Sequence, residues 1–365
     1  MNLLNLMDDQ DLILNLSPGP SALPHDVVKQ LRDFLNSRLE TGSSLIEISH
    51  RSSEFKAAHT RIKDLLRRLL LIPDDYTMLF LQGGARAHTS AIPMNFMTTQ
   101  AKLPVYLNSG VWSALAAQEA KRYGDIETYS VPGVLPIERL NDADYCHYVN
   151  NETIDGIYWD KLPKLSHRRV ICDMTSSLLS CSIPWSRLGC IYASSQKYLG
   201  LPGVTLVILD RKWLARITPM PQTPSTLNYQ QQDQSDSLFN TPTNISWLTA
   251  LWVLEWIESK GGLTYCVNNA THCAQLLYTF LDQSQFYQAT VESHLRSKVN
   301  IVFKTRNVQS DQDCADYLAQ KGVIGVKGHS LKGGLRASLY STITPELIHV
   351  FIEHLKAFEE QYDAI

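Results

Sequence analysis

Residues 191–203, IYASSQKYLGLPG, place a lysine between an apolar, strand-like run and a turn rich in glycine and proline. A lysine in such a place is ordinarily a solvated loop residue. A lysine that is desolvated at a strand end of an α/β protein has a lowered pKa, and its neutral amine can form a Schiff base with a carbonyl compound. The rest of the sequence must decide between these two interpretations of Lys197.

Composition restricts the possible functions. The chain has 365 residues, 44% hydrophobic and 19% charged, which is typical of a soluble globular protein large enough for two domains. A net charge of -3 without a basic stripe argues against nucleic acid as a partner. Residues 1–16 lack the basic region of a signal peptide, and the longest apolar stretch, 247–257, is too short to span a bilayer. We therefore expect a cytoplasmic protein without membrane contact.

The cysteine pattern indicates neither disulfides nor a metal site. The cysteines form no CxxC pair and no cluster with zinc-like spacing, and most lie in apolar surroundings. We expect reduced, structural thiols at Cys146, Cys172, Cys181, Cys190, Cys266, Cys273 and Cys314.

Apolar runs alternate with helical patterns up to about residue 260, which predicts an α/β fold: a mostly parallel central sheet with helices on both faces. The order then changes, and long helices enclose a few strands, which predicts a smaller C-terminal α+β domain. We assign 15–260 to the large domain and 261–365 to the small domain, on which 1–14 also packs. The expected strands are 77–81, 104–107, 145–149, 169–173, 190–193, 204–209, 298–304 and 334–340, and the expected helices are 53–70, 112–123, 263–284 and 344–361.

Residues 217–243 are rich in Pro, Gln, Ser and Thr and contain no Lys or Arg. A segment of this length without regular structure inside a compact domain is usually either disordered or functional. The composition alone leaves both interpretations open.

Three further strand ends carry groups with a possible chemical role. Asp173 ends the apolar run RVICD, where a carboxylate faces the crevice of an open sheet, although it could equally cap the next helix. Gly83 and Gly84 follow another strand and suit either an anion or a tight turn. Trp112 opens a helix, where tryptophan is usually core. Together with Lys197 they match the needs of pyridoxal phosphate, which requires a pyridinium partner, phosphate donors and a stacking group.

Sequence motifs extend this pattern to a known family. Over almost its full length the chain resembles the phosphoserine aminotransferases, which are class V, fold type I pyridoxal-phosphate enzymes. The combination of EISHR, NETIDGI and GLRASLY is specific to that family. The motifs are LNLSPGPSALP at 14–24, EISHRSSEF at 47–55, LFLQGGARAH at 79–88, NSGVW at 108–112, NETIDGI at 151–157, DMTSS at 173–177, YASSQK at 192–197, FNTP at 239–242 and KGHSLKGGLRASLY at 327–340.

The resemblance implies a complete cofactor site. Lys197 matches the Schiff-base lysine, and Asp173 matches the partner of the pyridinium nitrogen. Asn240 and Thr241 match residues that reach the cofactor phosphate of the neighbouring subunit, which implies a homodimer and a purpose for the polar segment. The other implied cofactor contacts are Ala85 and Arg86 at the phosphate, Trp112 on the ring, Thr153 at the ring oxygen, and Gln196.

The resemblance also implies a substrate site. Arg336 matches an arginine that binds the substrate α-carboxylate through two parallel hydrogen bonds. In the family, residues of both subunits bind the substrate phosphate. His329 matches one from the same chain, and His50 and Arg51 match residues that reach the site across the subunit interface.

Two positions depart from the family pattern. Ser330 stands where the family commonly has a phosphate-binding arginine, and Pro18 stands where it commonly has a serine. Neither position belongs to the cofactor site, so the departures concern the substrate. We expect Lys332, two residues beyond Ser330 on a glycine-rich segment, to supply part of the missing charge.

The implied reaction is transamination. L-Glutamate and 3-phosphohydroxypyruvate would give 2-oxoglutarate and O-phospho-L-serine in serine biosynthesis, and the resemblance also permits the phosphorylated 2-oxo acid of pyridoxine biosynthesis. One alternative is a class V aminotransferase that has drifted to another 2-oxo acid. A cysteine desulfurase is disfavoured because Cys314 lies in a helix-like segment and not on a loop. A cofactor-holding protein without turnover is disfavoured because Lys197 and Asp173 are both retained.

Overall fold

The central sheet is built from apolar runs whose side chains are buried on both faces. The computed structural model of the chain describes residues 13–38, 47–97 and 102–363. Within these ranges the strands are β1 (Leu14–Asn15), β2 (Tyr76–Gln82), β3 (Val105–Asn108), β4 (Glu127–Ser130), β5 (Cys146–Val149), β6 (Asn151–Glu152), β7 (Ile157–Tyr158), β8 (Val170–Asp173), β9 (Cys190–Ser194), β10 (Val204–Asp210), β11 (Gln288–Ala289), β12 (Asn300–Lys304), β13 (Val323–Ile324) and β14 (Leu335–Ser338).

The helices separate most of the strands along the chain. The described helices are α1 (His25–Asn36), α2 (Ser53–Leu69), α3 (Ala85–Phe96), α4 (Val111–Ala120), α5 (Ile137–Asp142), α6 (Arg211–Leu214), α7 (Tyr229–Gln234), α8 (Asn244–Ser259), α9 (Gly262–Gln283), α10 (Val308–Gln320) and α11 (Pro345–Asp363). The eight predicted strands and four predicted helices coincide with elements of the structure to within a few residues.

The strand order positions the site. Seven strands form one sheet in the order β2-β10-β9-β8-β5-β3-β4. In this sheet β10 is antiparallel to both of its neighbours, and the other pairs are parallel. Because β5, β8 and β9 are parallel neighbours, Val149, Asp173 and Tyr192 lie in register near their carboxyl ends. In such sheets, ligands bind outside this edge.

Helices cover both faces of the sheet, as the sequence predicts. On one face α2 and α8 pack on the sheet through a core that includes Phe55, Leu66, Trp247 and Leu254. On the other face α3, α4 and α7 enclose a second core around Tyr106, Ile171 and Tyr192. The predicted fold class, a mostly parallel α/β sheet between helical layers, is confirmed.

The C-terminal part of the chain has its own sheet and core. The strands β11, β12 and β14 form an antiparallel sheet whose core includes side chains of α9, α10 and α11. Strand β1 pairs in parallel with β13, and Leu14 and Leu16 are buried in this core; residues 1–12 of the segment predicted to pack here lie outside the described residues. We propose the division of the two units at residues 260 and 261, where α8 gives way to α9.

The polar segment 217–243 is ordered against the large core. It contains a 3₁₀ turn (Ser225–Leu227) and helix α7. The Tyr229 side chain is fully buried, its backbone N–H donates to Asn95 Oδ1 at 2.9 Å, and its hydroxyl lies 2.8 Å from His88 Nδ1. Of the two interpretations of this segment, the structure excludes disorder for its described residues.

The described residues contain no helix long and apolar enough to cross a membrane. All seven cysteines lie within the described ranges, and none forms a disulfide. In the same part of the chain, no group of His, Cys, Asp and Glu side chains is arranged to hold a metal ion.

Candidate active site

The turn after β9 carries Lys197 to the carboxyl edge of the sheet. Its Nζ donates a hydrogen bond to Thr153 Oγ1 at 2.6 Å. Burial lowers the pKa of Lys197 to about 8, although the neighbouring charge of Asp173 opposes the shift. A substantial fraction of this amine is therefore neutral near physiological pH, as a nucleophilic lysine requires.

Asp173 ends the adjacent strand β8 and faces the same crevice. The Thr175 backbone N–H donates to Asp173 Oδ1 at 2.8 Å. Burial raises the pKa of Asp173, whereas the Thr175 hydrogen bonds and the Lys197 charge act in the opposite direction. The site thus contains a carboxylate whose charge depends on the few donors around it.

The N-terminus of α4, which carries Trp112, is capped by acids from another segment. Glu152 is fully buried and accepts hydrogen bonds from the Trp112 N–H at 2.8 Å and from the Ser113 N–H at 2.9 Å. Asp155 accepts from the Val111 N–H at 2.8 Å. The two carboxylates fix the first turn of the helix and hence the position of the Trp112 ring.

Sequence reasoning missed Glu152 and Asp155, although both lie in the NETIDGI motif. Helix α4 begins after Gly110, which has no side chain to cap the free N–H groups of the first turn. A Cβ at Gly110 would lie 2.8 Å from carbons of Glu152, so the glycine admits the acid. The uncapped helix start was a signal that an acceptor must come from elsewhere, but it did not identify the residue.

A second helix N-terminus forms a cradle suited to an anion. Helix α3 begins after Gly84, and Gly83 has φ +100, a conformation that favours glycine. The Gly83 carbonyl accepts from Thr205 Oγ1 at 3.0 Å, which ties the turn to β10. The Arg86 guanidinium carbon lies 6.0 Å from the centroid of the Trp112 ring. The free N–H groups of the first turn and this cation together favour a phosphate group.

A single cleft brings these groups together. It has an empty volume of about 660 Å³, which includes space open to solvent. The cofactor residues expected from the sequence that line it are Ala85, Arg86, Trp112, Thr153, Asp173, Gln196 and Lys197.

Arg336 is a buried cation beside this cleft. Its side chain is 5% exposed, and one of its terminal nitrogens donates to the Thr153 carbonyl at 3.3 Å. Its Nε is buried without a hydrogen-bond partner among the described residues, and burial lowers the pKa of the guanidinium. A buried guanidinium with an unused donor suits a carboxylate ligand, because an unpaired buried cation is unfavourable.

The loop at 327–334 carries the remaining substrate residues expected from this chain. Its backbone turns at His329, whose carbonyl accepts from the Lys332 and Gly333 N–H groups. Ser330 is exposed, and Pro18 offers its carbonyl to the Tyr340 hydroxyl at 2.8 Å. The Lys332 ammonium lies 3.0 Å from Asp155 Oδ1, so the charge expected to replace an arginine at position 330 is paired with an acid in this structure.

Four expected residues, which the resemblance assigns to the neighbouring subunit's site, do not line this cleft. His50 and Arg51 precede α2, and the His50 Nε2 is buried without a partner in the described part of the chain. Asn240 and Thr241 precede α8, and the Thr241 carbonyl accepts from Gln82 Nε2. Among the described residues, none of the four lines the cleft of its own chain.

Comparison with known proteins places this chain in a family. The family model described as "Aminotransferase class-V" matches residues 13–351. Phosphoserine aminotransferase from Coxiella burnetii is 35% identical over 359 residues, which are 96% of this chain and 99% of the relative. The enzyme of the same name from Pasteurella multocida is 37% identical over 358 residues, with the same coverage.

Solved structures agree. The phosphoserine aminotransferase of Bacillus circulans superposes with a TM-score of 0.89 at 32% identity, covering 95% of this chain and 98% of that one. The pyridoxal-phosphate-bound enzyme of that name from Trichomonas vaginalis superposes with a TM-score of 0.87 at 30% identity, covering 94% and 99%.

The chain belongs to the class V aminotransferases, and within them to the phosphoserine aminotransferases that match it over nearly its whole length. The resemblance seen in its motifs is confirmed, and the protein is an enzyme of the aminotransferase type.

The lowered pKa of Lys197 predicts a stability gain when the amine is removed. The fall of the Lys197 pKa from its ordinary value of 10.5 to about 8 corresponds to about 3 kcal/mol of unfavourable charge burial in the folded state. Below pH 8 the folded state bears this penalty in full, and above pH 10.5 the amine is neutral in both states. In protein freed of small molecules, Lys197→Met should therefore raise the free energy of unfolding at pH 7 by up to about 3 kcal/mol, and the gain should disappear between pH 8 and 10.5.

Urea unfolding at pH 7 and pH 10 measures this difference. Lys161→Met, at an exposed lysine, is the control and should change the free energy of unfolding by less than about 0.5 kcal/mol. A Lys197→Met gain that is equal at both pH values would contradict the assigned pKa.

Proposed function

We propose that this chain is a pyridoxal-phosphate-dependent phosphoserine aminotransferase. It converts 3-phosphohydroxypyruvate and L-glutamate to O-phospho-L-serine and 2-oxoglutarate, and the phosphorylated 2-oxo acid of pyridoxine biosynthesis is a second possible substrate. The observation that carries the proposal is the desolvated Lys197 amine beside the buried Asp173, in a chain whose relatives bear this name. The seven free cysteines, six of them buried, support a cytoplasmic enzyme.

The cleft fits pyridoxal phosphate. The N-terminus of α3 and Arg86 would hold its phosphate, and the Trp112 ring would stack on the pyridine ring. Asp173 would pair with the ring nitrogen, and Thr153 would reach the ring oxygen. The buried Trp112 Nε1 has no hydrogen-bond partner among the described residues, as expected for a site completed by a ligand. When bound, the cofactor supplies a carbonyl carbon for the amine and an electron sink for the substrate Cα.

The chain's own residues supply proton transfer and orientation. The lowered pKa of Lys197 lets its amine take a proton at neutral pH and return it, which is the task of a general base and acid. Thr153 orients this amine through the 2.6 Å hydrogen bond to its hydroxyl. Gly19 lets the N-terminal segment lie against the lysine stem, since a Cβ there would lie 3.3 Å from Lys197 Cγ. The segment thereby excludes water from one side of the lysine.

Separate cations would bind the carboxylate and the phosphate of the substrate. The unused Nε of Arg336 is available to the α-carboxylate that both substrates share. His329 would contribute to the phosphate site from the same chain. Solvent screens the Lys332–Asp155 pair on the lysine side, because Lys332 is 52% exposed whereas Asp155 is 9% exposed. A substrate phosphate can therefore compete with Asp155 for the lysine.

The enzyme is a homodimer with shared active sites in this proposal. Asn240 and Thr241 do not line the cleft of their own chain, and they follow Phe239, whose large apolar side chain is 46% exposed. Together with His50 and Arg51 they would complete the cleft of the partner subunit, with the first pair at the cofactor phosphate and the second at the substrate phosphate. An exposed apolar side chain beside polar residues is consistent with a subunit interface.

A drifted class V aminotransferase is the second candidate. The observation that favours it is the exposed serine at position 330, which leaves the substrate phosphate without one cation. The cofactor residues are the same in both candidates, so the substrate profile distinguishes them.

Lys197→Ala tests the cofactor assignment. The purified wild-type protein should be yellow, and the variant should lose the visible absorption band together with turnover, because the covalent link to the cofactor requires this amine. Asp173→Asn should retain some cofactor but lose most activity, because the ring nitrogen loses the charge that holds its proton. Absorption spectra and initial rates measure both effects. An alanine variant that transaminates at the wild-type rate would show that Lys197 is misassigned.

Mixed dimers test the shared sites. Subunits with Lys197→Ala and subunits with both Asn240→Ala and Thr241→Ala are each expected to be inactive. In a heterodimer, one site combines the wild-type lysine of one chain with the wild-type loop of the other, so random exchange should restore about a quarter of wild-type activity. Mass spectrometry under native conditions confirms the exchange. A mixture that exchanges subunits and stays inactive would reject the shared site.

Ser330→Arg and Lys332→Ala test the substrate phosphate site. One charge-assisted hydrogen bond contributes about 1.5–3 kcal/mol, so Ser330→Arg should lower the Michaelis constant for 3-phosphohydroxypyruvate by up to roughly 10- to 150-fold. Lys332→Ala should raise it, and neither change should alter the half-reaction with glutamate. The control substrate is hydroxypyruvate, which lacks the phosphate. If the wild-type enzyme used it as well as the phosphorylated acid, the drifted aminotransferase would be the better description.

A further inference from the structure

Helices α2 and α8 lie side by side and run in the same direction. Near their N-termini the Phe55 and Trp247 rings pack with their centroids 5.8 Å apart. Near their C-termini the Arg68 Nη2 lies 2.6 Å from Glu258 Oε1. Because the contacts follow the same order along both helices, the segments that precede α2 and α8 lie at the same end of this helix pair.

The two preceding segments are those that the proposed function assigns to the partner subunit. We call 47–51 the substrate segment and 239–243 the cofactor segment, after the phosphate that each would contact. They carry the four residues proposed to complete the partner's cleft, which are His50, Arg51, Asn240 and Thr241.

Asn244, the first residue of α8, joins the two segments. Its Nδ2 donates a hydrogen bond to the Ile48 carbonyl at 2.8 Å. A carbonyl oxygen can only accept, so the amide nitrogen of Asn244 and not its oxygen faces Ile48. Ile48 packs against the large core, and the turn that follows is closed by a 2.9 Å hydrogen bond from the Ser52 N–H to the Ser49 carbonyl. The bond from Asn244 therefore fixes the turn that carries His50.

The other flank of the cofactor segment is anchored as well. Asp236 Oδ1 accepts from Lys63 Nζ at 2.5 Å, and Asp236 Oδ2 lies 3.3 Å from His59 Nε2, both on α2. The buried N–H of Phe80 donates to Ser237 Oγ at 3.0 Å. Asp236 and Ser237 have φ values of 50° and 63°, which non-glycine residues keep only where surrounding contacts enforce them. Contacts to α2, to the turn before it and to β2 thus hold the cofactor segment at both flanks.

We propose that Asn244 is a positioning residue that keeps the substrate segment and the cofactor segment in one fixed relative position, so that a subunit presents both to its partner's cleft as a single unit. This inference rests on the proposed function, in which the two segments act across the subunit interface. Asn244 acts through the segments and not on the substrate or the cofactor. Without its amide the segments would move independently, and both phosphates would be bound less tightly.

Asn244→Ala removes the amide and leaves the four proposed phosphate contacts in place. Its KM for 3-phosphohydroxypyruvate and its dissociation constant for pyridoxal phosphate should both rise about 2- to 12-fold, the range expected for one hydrogen bond. Its KM for hydroxypyruvate, which lacks the phosphate, should change less than about twofold, as should kcat at saturation. Asn269→Ala is the matched control, because the Asn269 Nδ2 also donates to a distant carbonyl, that of Ile343 at 2.6 Å, and it should leave all these constants at wild-type values.

Heterodimers with one functional site show whether the effect crosses the interface. One chain keeps Lys197 and the other carries Lys197→Ala, and different affinity tags allow purification of the heterodimer. The functional site then takes both segments from the Lys197→Ala chain. Asn244→Ala on that chain should raise the KM for 3-phosphohydroxypyruvate, whereas Asn244→Ala on the chain that keeps Lys197 should not. Both heterodimers carry the same two substitutions, so a general loss of stability would not produce the difference.

Equal KM values in the two heterodimers, or a rise in Asn269→Ala as large as that in Asn244→Ala, would overturn the inference. Wild-type activity with 3-phosphohydroxypyruvate would show in that case that the proposed function stands. A wild-type enzyme without this activity would instead reject the proposed function itself. If Asn244→Ala does not fold, Asn244→Ser replaces it in both heterodimers, because serine suits a helix start and has no amide nitrogen.

Discussion

The desolvation of one lysine is the constraint to which the rest of the site responds. An ammonium group buried at a strand end is unfavourable, and Lys197 is stabilised there by the hydroxyl of Thr153 and by the charges of Asp173 and Glu152. Thr153 and Asp173 each sit at the end of a different structural element, so the amine is reactive only if neighbouring strands end at the same level. The parallel register of β5, β8 and β9 provides that alignment. The topology of the sheet is thus a condition for the chemistry of the lysine.

The first turn of α4 likewise depends on side chains from another segment. The Trp112 ring lines the cleft, and the helix that carries it follows Gly110, which has no side chain to cap the free N–H groups of the first turn. Glu152 and Asp155 provide the acceptors, and Asp155 also pairs with Lys332 on the loop at 327–334. One short acidic segment therefore connects the proposed stacking group with the proposed phosphate-binding loop. A change of Asp155 is expected to affect both, because Asp155 contacts both.

The sequence was sufficient where one strand end delivers one chemically distinctive residue. Lys197, Asp173, Gly83 and Gly84 each follow an apolar run, and the alternation of strands and helices predicts that such ends converge. It was insufficient where a role depends on a contact between distant segments. Glu152 has no local feature that marks it as a helix cap, and its 40-residue separation from Trp112 is visible only in the fold.

The polar segment and the buried rings illustrate the same limit. The composition of residues 217–243 leaves disorder and function both open, and only the structure shows that Tyr229 anchors the segment in the core through groups of α3. In the sequence, Tyr192 and His147 look like ordinary strand residues, because an alternating pattern indicates only which face of a strand is apolar. Their hydrogen bond to each other arises from the strand order, which no local pattern specifies.

The pairing of β1 with β13 has a consequence for the order in which the protein is made. Leu16 donates its N–H to the Ile324 carbonyl, and Ser21 then hydrogen-bonds to the backbone of Gln196 and Lys197. A ribosome that adds about 5–20 residues each second produces the partner strand roughly 15–60 s after the N-terminal segment has emerged. During that interval β1 has no partner strand, and the N-terminal segment that follows it cannot pack stably beside Lys197. The N-terminal side of the candidate site is therefore completed only after Val323 and Ile324 have been synthesised, however early the other strands of the site have folded.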